Sequence, residues 1–493
     1  MLVLLSALFL AMGTAACGDD SGNGNGTNNG NGGDGGNGGD GGNGGDGGNG
    51  GDNGSSGKKE NCTDPSDPCV VHTVEELESI GQNGYDGFPQ NRDGHYILGN
   101  DLDASDTENW HDGDGIYPLG EEGNPFRGSF DGDGHTISNL FIHVESHIAQ
   151  DAGLFGVIEG DAVIKNLHLE DAKIHGAGAN DPVGGIAAIN KGATIENVSV
   201  SGEITAAHTA GGIVGTNKDG LIKNAHNNAL VRADSSAGGI AGTQANGSAE
   251  ITESINEGTI EAHSSGGGIV GNNAALITHS HNHGTVTGLA GFLSNLGGVA
   301  GSNGVDARIE HSSSTGDLDG VSDAVGGLVG QNHGEISESF STGNIDVEGS
   351  QDGMIGGAGG LVGFNLGNIH NAYSTGDVRT TAYYNELDDE NLGGELAGGL
   401  VGSLDANATV TNSYSTGSAQ SDDVEGGLIG QNGDDSHNNI TASYWETRAD
   451  TPSSSAGGAG LDDLSDANAF DGWDFTDIWE IQSGSPALRN NPQ

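Results

Sequence analysis

Short apolar runs separated by glycine, asparagine and serine recur through most of this chain. The pentapeptide Gly-Gly-(Leu/Ile/Val)-(Val/Ile/Ala)-Gly occurs eight times between Gly211 and Gly430, mostly at intervals of 27 to 30 residues, with weaker forms at 152–156 and 184–188. A period of this length indicates a solenoid, because one unit cannot bury its own apolar face and must stack on its neighbours. We therefore predict about ten coils. The eight copies begin at Gly211, Gly238, Gly267, Gly297, Gly326, Gly359, Gly398 and Gly426.

A second motif follows each pentapeptide, and its pattern predicts β-strands. In 195–204 and 369–378, apolar residues alternate with polar ones and are interrupted by glycine and asparagine. Such alternation favours short half-buried strands, and the repeats show no apolar residues at helical spacing. The predicted fold is all-β: a parallel β-solenoid (β-helix) with an N-terminal and a C-terminal cap.

The alternation also predicts which side chains face outward. Leu167 and Leu169 flank His168, so His168 and its equivalents in later coils should point away from the core. This outward row would be His168, Ser199, His226, Ile255, His281, Ser313, Phe340, Tyr373, Tyr414 and Tyr444. The inward row would be Ile195, Ile222, Ile251, Ile277, Ile309, Ile336, Ile369, Val410 and Ile440.

The outward row ends in four aromatic residues, Phe340, Tyr373, Tyr414 and Tyr444. Aligned at strand spacing, they would form an exposed strip suited to stacking on sugar rings or on an apolar partner. Two alternatives stay open: the facing is reversed and the rings fill the core, or the stack only stabilises the rod. A loop containing Tyr383 and Tyr384 lengthens one coil and is a second candidate binding segment.

Asparagine recurs two residues after the inward position. We predict that these side chains form hydrogen bonds from coil to coil at a bend. They are Asn166, Asn197, Asn224, Asn371 and Asn412.

The combination of Gly-Gly-Leu-Val-Gly at 359–363 with Ile-x-Asn-x-Tyr-Ser-Thr-Gly-x-Val at 369–378 resembles the GLUG-motif family of bacterial surface proteins. The resemblance covers roughly residues 70–489 and includes the segments 96–103, 118–120 and 126–137, which are similar to the family's lead-in. It implies an extracellular β-solenoid, often found in adhesins, and no defined chemistry. Some relatives join this module to a metalloprotease, but the sequence contains no His-Glu-x-x-His.

The N-terminus indicates export. Residues 1–16 are apolar and end in Thr14-Ala-Ala-Cys17, which fits a signal peptide cut before a cysteine. The segment resembles a bacterial lipobox, which implies a lipidated Cys17 and a location at the outer membrane or cell surface. Thr14 replaces the usual leucine, and no lysine or arginine precedes it. The alternative is an ordinary cleaved signal that leaves a free cysteine.

Residues 17–60 are dominated by Gly, Asn, Asp and Ser, and we predict a flexible spacer there. In an exported protein, Cys62 and Cys69 are expected to form a disulfide. Thr73-Val-Glu-Glu76 predicts a capping box that opens a short helix. We place the N-terminal cap at 61–150, the repeats at 151–443 and a tryptophan-rich C-terminal cap, which should seal the rod, at 444–493.

The chain has 70 acidic residues against 14 lysines and arginines, a net charge of −56. Nucleic acid is therefore an improbable partner, and the acidity favours solubility. Aspartates in the N-terminal cap are candidate calcium ligands, although their spacing matches no EF-hand loop. We name Asp101, Asp103, Asp112 and Asp114, and expect no other cofactor.

Histidines at 279, 281 and 283, near His311 of the next coil, are a weaker metal hypothesis because no cysteine or carboxylate completes the set. The few basic residues of the repeats form no evident cluster with aspartates, so we predict no enzyme. The predicted function is a lipid-anchored, surface-displayed, monomeric β-solenoid acting as an adhesin or structural surface protein. A carbohydrate-binding solenoid is the alternative, and a polysaccharide-degrading β-helix a more remote one; a surface protein is the other candidate partner.

Overall fold

The computed structural model describes residues 62–80, 91–145, 151–178, 181–245, 247–289, 295–348, 357–381, 396–434, 437, 439–448 and 450–491, and the backbone of 384–385 and 390–391. The predicted signal peptide, Cys17, the spacer and Tyr383 lie outside the described residues, as does the side chain of Tyr384. Within these ranges no helix has the length and apolar character needed to cross a membrane.

Parallel strands stack into a β-solenoid of about 11 turns, which confirms the predicted fold class. The strands of the coils form three sheets. One has ten strands, one has nine, and a folded sheet of 30 strands forms the remaining sides of the solenoid. The hydrophobic core runs continuously from Cys62 to Trp445.

The ten-stranded sheet carries the second half of each pentapeptide. Its strands are Phe155–Glu159, Ala187–Lys191, Val214–Lys218, Ala241–Ala245, Val270–Asn273, Ala300–Asn303, Val329–Asn332, Val362–Asn365, Val401–Leu404 and Ile429–Asn432. The nine-stranded sheet ends at the first glycine of each pentapeptide. Its strands are Pro182–Gly184, Thr209–Gly211, Ser236–Gly238, Ser265–Gly267, Asn295–Gly297, Ala324–Gly326, Gly357–Gly359, Leu396–Gly398 and Val424–Gly426.

The 30-stranded sheet carries the second motif and comprises three columns. The first column carries the inward row and continues into the N-terminal strands that stack with it. Its strands are Cys69–Val71, His95–Leu98, Ser129–Asp131, Val163–Gly176, Thr194–Ala206, Leu221–Ala233, Glu250–Thr252, Leu276–Thr278, Arg308–Glu310, Glu335–Ser337, Asn368–His370, Thr409–Thr411 and Ile440–Thr441. The middle column adds Leu102–Asp103, Thr136–Ser138, Ile255–Asn256, His281–Asn282, Ser313–Ser314, Phe340–Ser341, Tyr373–Ser374, Tyr414–Ser415, Tyr444–Glu446 and Ala459–Leu461. The third adds Phe141–Val144, Ile260–Ala262, Val286–Gly288, Leu318–Val321, Ile345–Glu348, Val378–Thr381 and Ala419–Gln420.

Little else has regular structure among the described residues. One α-helix, Val74–Ser79, begins after Thr73, whose hydroxyl accepts a hydrogen bond from the backbone N–H of Glu76. Three 3₁₀ helices span Ser105–Asn109, His111–Gly113 and Ala467–Ala469. Antiparallel pairs join Tyr384–Asn385 to Glu390–Asn391 and Trp479–Gln482 to Ser485–Leu488. A disulfide joins Cys62 to Cys69.

The inward row fills the core as predicted. The side chains from Ile195 to Val410 are buried, and only Ile440, in the last of these coils, is half-buried. The glycines of the pentapeptide allow the backbones to approach closely. A Cβ on Gly211 would lie 1.9 Å from the carbonyl oxygen of Val214, and one on Gly212 would lie 2.2 Å from the carbonyl oxygen of Gly239 in the next coil.

The bend after the inward row has a left-handed backbone in coil after coil. Asn166, Asn197 and Asn224 have φ values of 51°, 54° and 48°, a region that asparagine tolerates better than most residues. The amide of Asn197 donates to Asn166 Oδ1 at 3.2 Å, and that of Asn224 donates to Asn197 Oδ1 at 2.7 Å. The predicted hydrogen bonds between coils are thus confirmed for these three residues.

A second ladder of amides lies inside the solenoid and was not predicted. Asn273 donates to Asn303 Oδ1, Asn303 to Asn332 Oδ1 and Asn332 to Asn365 Oδ1, at 2.7 to 2.9 Å. All four side chains are buried. Asn273 and Asn332 also donate to carbonyl oxygens of their own turns, those of Ala275 and Gly334, so the ladder satisfies polar groups that would otherwise be costly to bury.

Candidate binding face

The outward row has the predicted register. Each of its members, from His168 to Tyr444, is paired with the next in parallel strands without a break. The residues on either side of the row, such as Leu167 and Leu169, are buried in the core. The prediction that the row faces away from the core is therefore correct, and the alternative of reversed facing is wrong.

The aromatic end of the row is a stack of nearly parallel rings. The ring centres of Phe340 and Tyr373 are 4.8 Å apart with planes 7° apart, and those of Tyr373 and Tyr414 are 5.1 Å apart with planes 14° apart. Tyr444 continues the row and packs against the same cluster.

This strip is not exposed, so the predicted accessibility is wrong for its first three members. Phe340, Tyr373 and Tyr414 are at most 1% exposed, and Tyr444 is partly buried. The chain itself covers them, with a segment from Leu464 to Asn491 that we call the C-terminal cover.

Aromatic rings and hydrogen bonds fix the cover in place. Trp479 is fully buried, with its ring centre 6.2 Å from that of Tyr373 and 6.1 Å from that of Tyr414. The hydroxyl of Tyr414 donates to the carbonyl oxygen of Pro486 at 2.5 Å, and Trp473 Nε1 donates to the carbonyl oxygen of Ala442 at 2.8 Å. Burial raises the pKa of Tyr414 well above 10.

The far end of the cover reaches the coil that precedes Phe340. Asn491 Nδ2 donates to the carbonyl oxygens of Ser312 and Glu338, at 3.1 and 3.0 Å. We expected the whole tryptophan-rich segment 444–493 to seal the end of the rod. Its first part does pack on the last coil, through Trp445 and the loop containing Ser454 and Ser455. The cover, which is its later part, instead extends along the side of the rod.

The first half of the outward row carries polar side chains and lies beyond the cover. His168 Nδ1 is 2.7 Å from Ser199 Oγ, His281 Nδ1 is 2.8 Å from Ser313 Oγ, and His226 Nε2 is 3.0 Å from a carboxylate oxygen of Glu257. Beside this half lies a cavity of about 300 Å³ that includes His168, Ser199 and His226 in its lining. Sequence reasoning gave the facing of these residues but did not identify the cavity.

The candidate calcium ligands do not converge. Asp101 accepts hydrogen bonds from Thr136 N and His135, and the first of these is the main reason that its pKa lies below the usual value. Asp103 accepts from Ser105 N and Asn139. The other two lie near a separate 3₁₀ turn: Asp112 within it, Asp114 just after it. Among the described residues, no three His, Cys, Asp or Glu side chains are arranged to hold a metal ion.

The histidines considered as a second metal site are those at 279, 281, 283 and 311. Two of them, His279 and His311, occupy the same left-handed bend as the asparagines of other coils. His279 and His311 have φ values of 47° and 48°, and their rings stack with centres 4.9 Å apart. His281 and His283 instead pair with hydroxyls of the next coil, those of Ser313 and Thr315. The four imidazoles therefore belong to different rows.

One perturbed carboxyl was missed by the sequence analysis. Burial raises the pKa of Asp151 to about 6, and the carboxylates of Asp181 and Glu122 act in the same direction, whereas Lys191 opposes them. The Lys191 amine pairs with the Glu122 carboxylate. These residues come from separate segments, so no local motif signals the cluster.

Two known sequence families match parts of the chain. Residues 82–202 match the N-terminal region of M26 IgA1-specific metallo-endopeptidases. Residues 322–346, 356–379 and 393–420 match the GLUG motif.

Halomucin of Haloquadratum walsbyi is 39% identical over 144 residues, which is 28% of this chain and 2% of that protein. A protein of Evansella cellulosilytica, described as a candidate Gly-rich membrane protein, is 31% identical over 144 residues, 29% of this chain and 15% of that protein. The chain thus matches a small part of either relative.

Two solved structures are similar at 17% identity. A Bacteroides ovatus protein, described as a candidate immunoglobulin A1 protease, gives a TM-score of 0.40 over 88% of this chain and 95% of that chain. An IgA1 protease gives a TM-score of 0.38 over 63% of this chain and 21% of that chain. From the matched motifs and the stacked strands together, this chain is a β-solenoid that carries GLUG repeats, with a region similar to the N-terminal region of M26 metallo-endopeptidases.

Proposed function

We propose that this protein is a surface-displayed scaffold: a rigid β-solenoid that holds its outer face away from the cell. The observation that carries the proposal is the C-terminal cover, which buries the chain's own aromatic strip. A strip that adhered directly to a partner would need to be open. The protein instead uses its aromatic residues to fasten its own coils.

The interior supports a stiff rod. The core is continuous across the coils, and buried amides join successive coils through the ladder from Asn273 to Asn365. Stacking about 11 coils gives a solenoid roughly 50 Å long, at a strand spacing near 4.8 Å.

The surface supports display in water. Large apolar residues that are more than about a third exposed occur singly among the described residues, as at Val305 and Val424. Most of the few basic side chains pair with carboxylates, many of them on the adjacent coil; Lys165 and Asp131 are 3.1 Å apart, for example. The excess negative charge keeps copies of the rod apart.

Attachment at the cell surface completes the proposal. The names of the two curated relatives, halomucin and a Gly-rich membrane protein, are consistent with such a location. Lipidation of Cys17 would supply the anchor, and residues 18–57 would supply the tether.

Labelling of intact cells tests this function. The full chain, expressed in a bacterium that processes lipoproteins, should fractionate with membranes and react with a membrane-impermeant amine label and with antibody against the solenoid. The matched variant Cys17→Ala should leave the membrane fraction while keeping its fold. Wild-type protein that antibody reaches only after the cells are broken would overturn surface display. Equal membrane association of both proteins would overturn the anchor.

A further inference from the structure

We propose that the open half of the outward row contains a binding groove for an uncharged glycan. The inference goes beyond the proposed scaffold role and does not depend on it. Nothing in the motif itself assigns a ligand to these coils.

The groove is built by three long neighbouring strands. Val163–Gly176, Thr194–Ala206 and Leu221–Ala233 each run without interruption through the region that later coils divide into short strands. A β-bulge near Asp171 and Gly202, both with positive φ, disturbs the pairing of the first two strands. Bulges bend strands and increase their twist, and the side chains beside this bulge line an open groove.

Six side chains form a regular polar grid at this place. In each of the three strands, two outward side chains flank one buried side chain. The strands are in register, so the outward pairs lie side by side. The pairs are His168 with Glu170, Ser199 with Ser201, and His226 with Asn228. The cavity that they line has a volume of about 300 Å³, at the lower end of the range for small-ligand sites.

The chemistry of the grid defines the ligand. Serine hydroxyls and the Asn228 amide both donate and accept hydrogen bonds, as a sugar hydroxyl requires. Two of the hydroxyls are already oriented, because Ser199 Oγ bonds His168 Nδ1 and Ser201 Oγ accepts from Asp171 N. Preorganised groups lose less entropy on binding.

The charge of the groove argues against anionic ligands. Glu170 lines the cavity, and the protein as a whole carries a net charge of −56, so an anionic polymer would be repelled. The lining has no Phe, Tyr or Trp side chain, which argues against a bulky apolar ligand. An uncharged, hydroxyl-rich molecule satisfies both conditions.

The position on the rod leaves the groove accessible along the axis. The same outward row is filled by the C-terminal cover from Phe340 onward, and the cover ends at Asn491, beside Ser312. The groove lies several coils before that point, where a linear chain of sugars could run along the row.

A glycan array of neutral, amino and anionic oligosaccharides tests the proposal. The protein is the full chain carrying Cys17→Ser, which removes the lipid, and positive signals are measured again by calorimetry. We expect binding to neutral oligosaccharides and a loss of at least about ten-fold in the variant Ser201→Ala/Asn228→Ala, since two hydrogen-bonding groups are removed.

The matched control is Thr216→Ala/Thr243→Ala, which removes two outward hydroxyls from the ten-stranded sheet. It should bind as the parent does. Equal binding by the groove variant, a preference for amino or anionic glycans, or no binding by the parent would each overturn the proposal. Hydrogen exchange of the parent with and without glycan gives an independent readout: protection must fall on 163–176, 194–206 and 221–233.

Discussion

The two halves of the outward row occupy equivalent positions in the same fold and have opposite surroundings. From His168 to His281 the row is polar apart from Ile255 and is at least partly exposed, whereas Phe340, Tyr373 and Tyr414 are buried under the C-terminal cover. Strand geometry is therefore not what hides a residue on this face. The difference follows from side-chain chemistry, because aromatic rings favour a permanent apolar cover and hydrogen-bonding side chains do not.

The comparison also separates two kinds of stabilisation. In the covered half, residues distant in sequence are joined, as when Asn491 bonds to Ser312. In the open half, the described contacts join each coil mainly to its neighbours. We therefore expect changes in the cover to act on one half and changes in the core ladder to act on both.

The largest effect is expected for Trp479→Ala. Removing a fully buried tryptophan between Tyr373 and Tyr414 should lower the free energy of unfolding by about 3–5 kcal/mol. Hydrogen exchange should accelerate at 373–374 and 414–415 and remain unchanged at 199–201. Phe475→Ala, at the half-buried rim of the cover, is the control and should cost less. Uniform acceleration along the rod would contradict a local role for the cover.

Asn303→Leu should have the next largest effect, and it should not distinguish the halves. The change leaves Asn273 and Asn332 without their ladder partner, at a cost of about 2–3 kcal/mol. Asn365→Leu is the matched comparison, because its next neighbour is already Leu404 and only one amide loses a partner. Denaturant unfolding measures both. Equal costs would show that the ladder bonds do not act as described.

A smaller effect is expected for Tyr414→Phe. It removes one buried hydrogen bond, from the hydroxyl to the carbonyl oxygen of Pro486, and should cost about 1 kcal/mol. Tyr444→Phe, on a partly buried ring, should cost less. Absorbance titration of the wild type should leave at least two tyrosines un-ionised above pH 10, because burial raises the pKa of Tyr414 well above 10 and that of Tyr96 to about 12. Tyr414→Phe should reduce their number by one. Full ionisation near pH 10 without unfolding would show that the ring is exposed.

The smallest expected effect is on the pH dependence of stability, and it arises from His281 in the open half of the row. Burial, and then the neighbouring His283 and His279, lower the pKa of His281 below 6.5. The unfolded chain binds this proton at a higher pH than the folded chain does, so stability should fall as the pH drops below about 6.5. His281→Asn should make the melting temperature less dependent on pH between 7 and 5. The same dependence in both proteins would assign the acid sensitivity to other groups.

The register and facing of the outward row could be predicted from local sequence. Alternation of apolar and polar residues gave the register from His168 to Tyr444, because a strand points successive side chains to opposite sides. The helix after Thr73 and the left-handed bend at Asn166 followed from equally local rules. Accessibility did not, because it depends on residues such as Trp479 that lie far away in the chain.

The internal amide ladder was missed for a related reason. Asn303 follows a pentapeptide in a stretch rich in polar residues, and nothing local distinguishes a buried asparagine from an exposed one. Only the closed coil places it against Asn273 and Asn332. The folded structure likewise brings together the side chains from His168 to Asn228 that line the cavity, beside a bulge that the repeat pattern does not contain.

The sequence by itself determined that this protein is a stacked β-solenoid, which residues face inward, and that its surface is strongly acidic. These properties follow from periodicity and composition, which act between neighbours in a repeat. The tertiary structure alone decided which outward residues meet solvent. That outcome depends on where the C-terminal segment returns to the rod. Its return is driven by burial of aromatic rings that are far apart in the chain, such as those of Phe340 and Trp479.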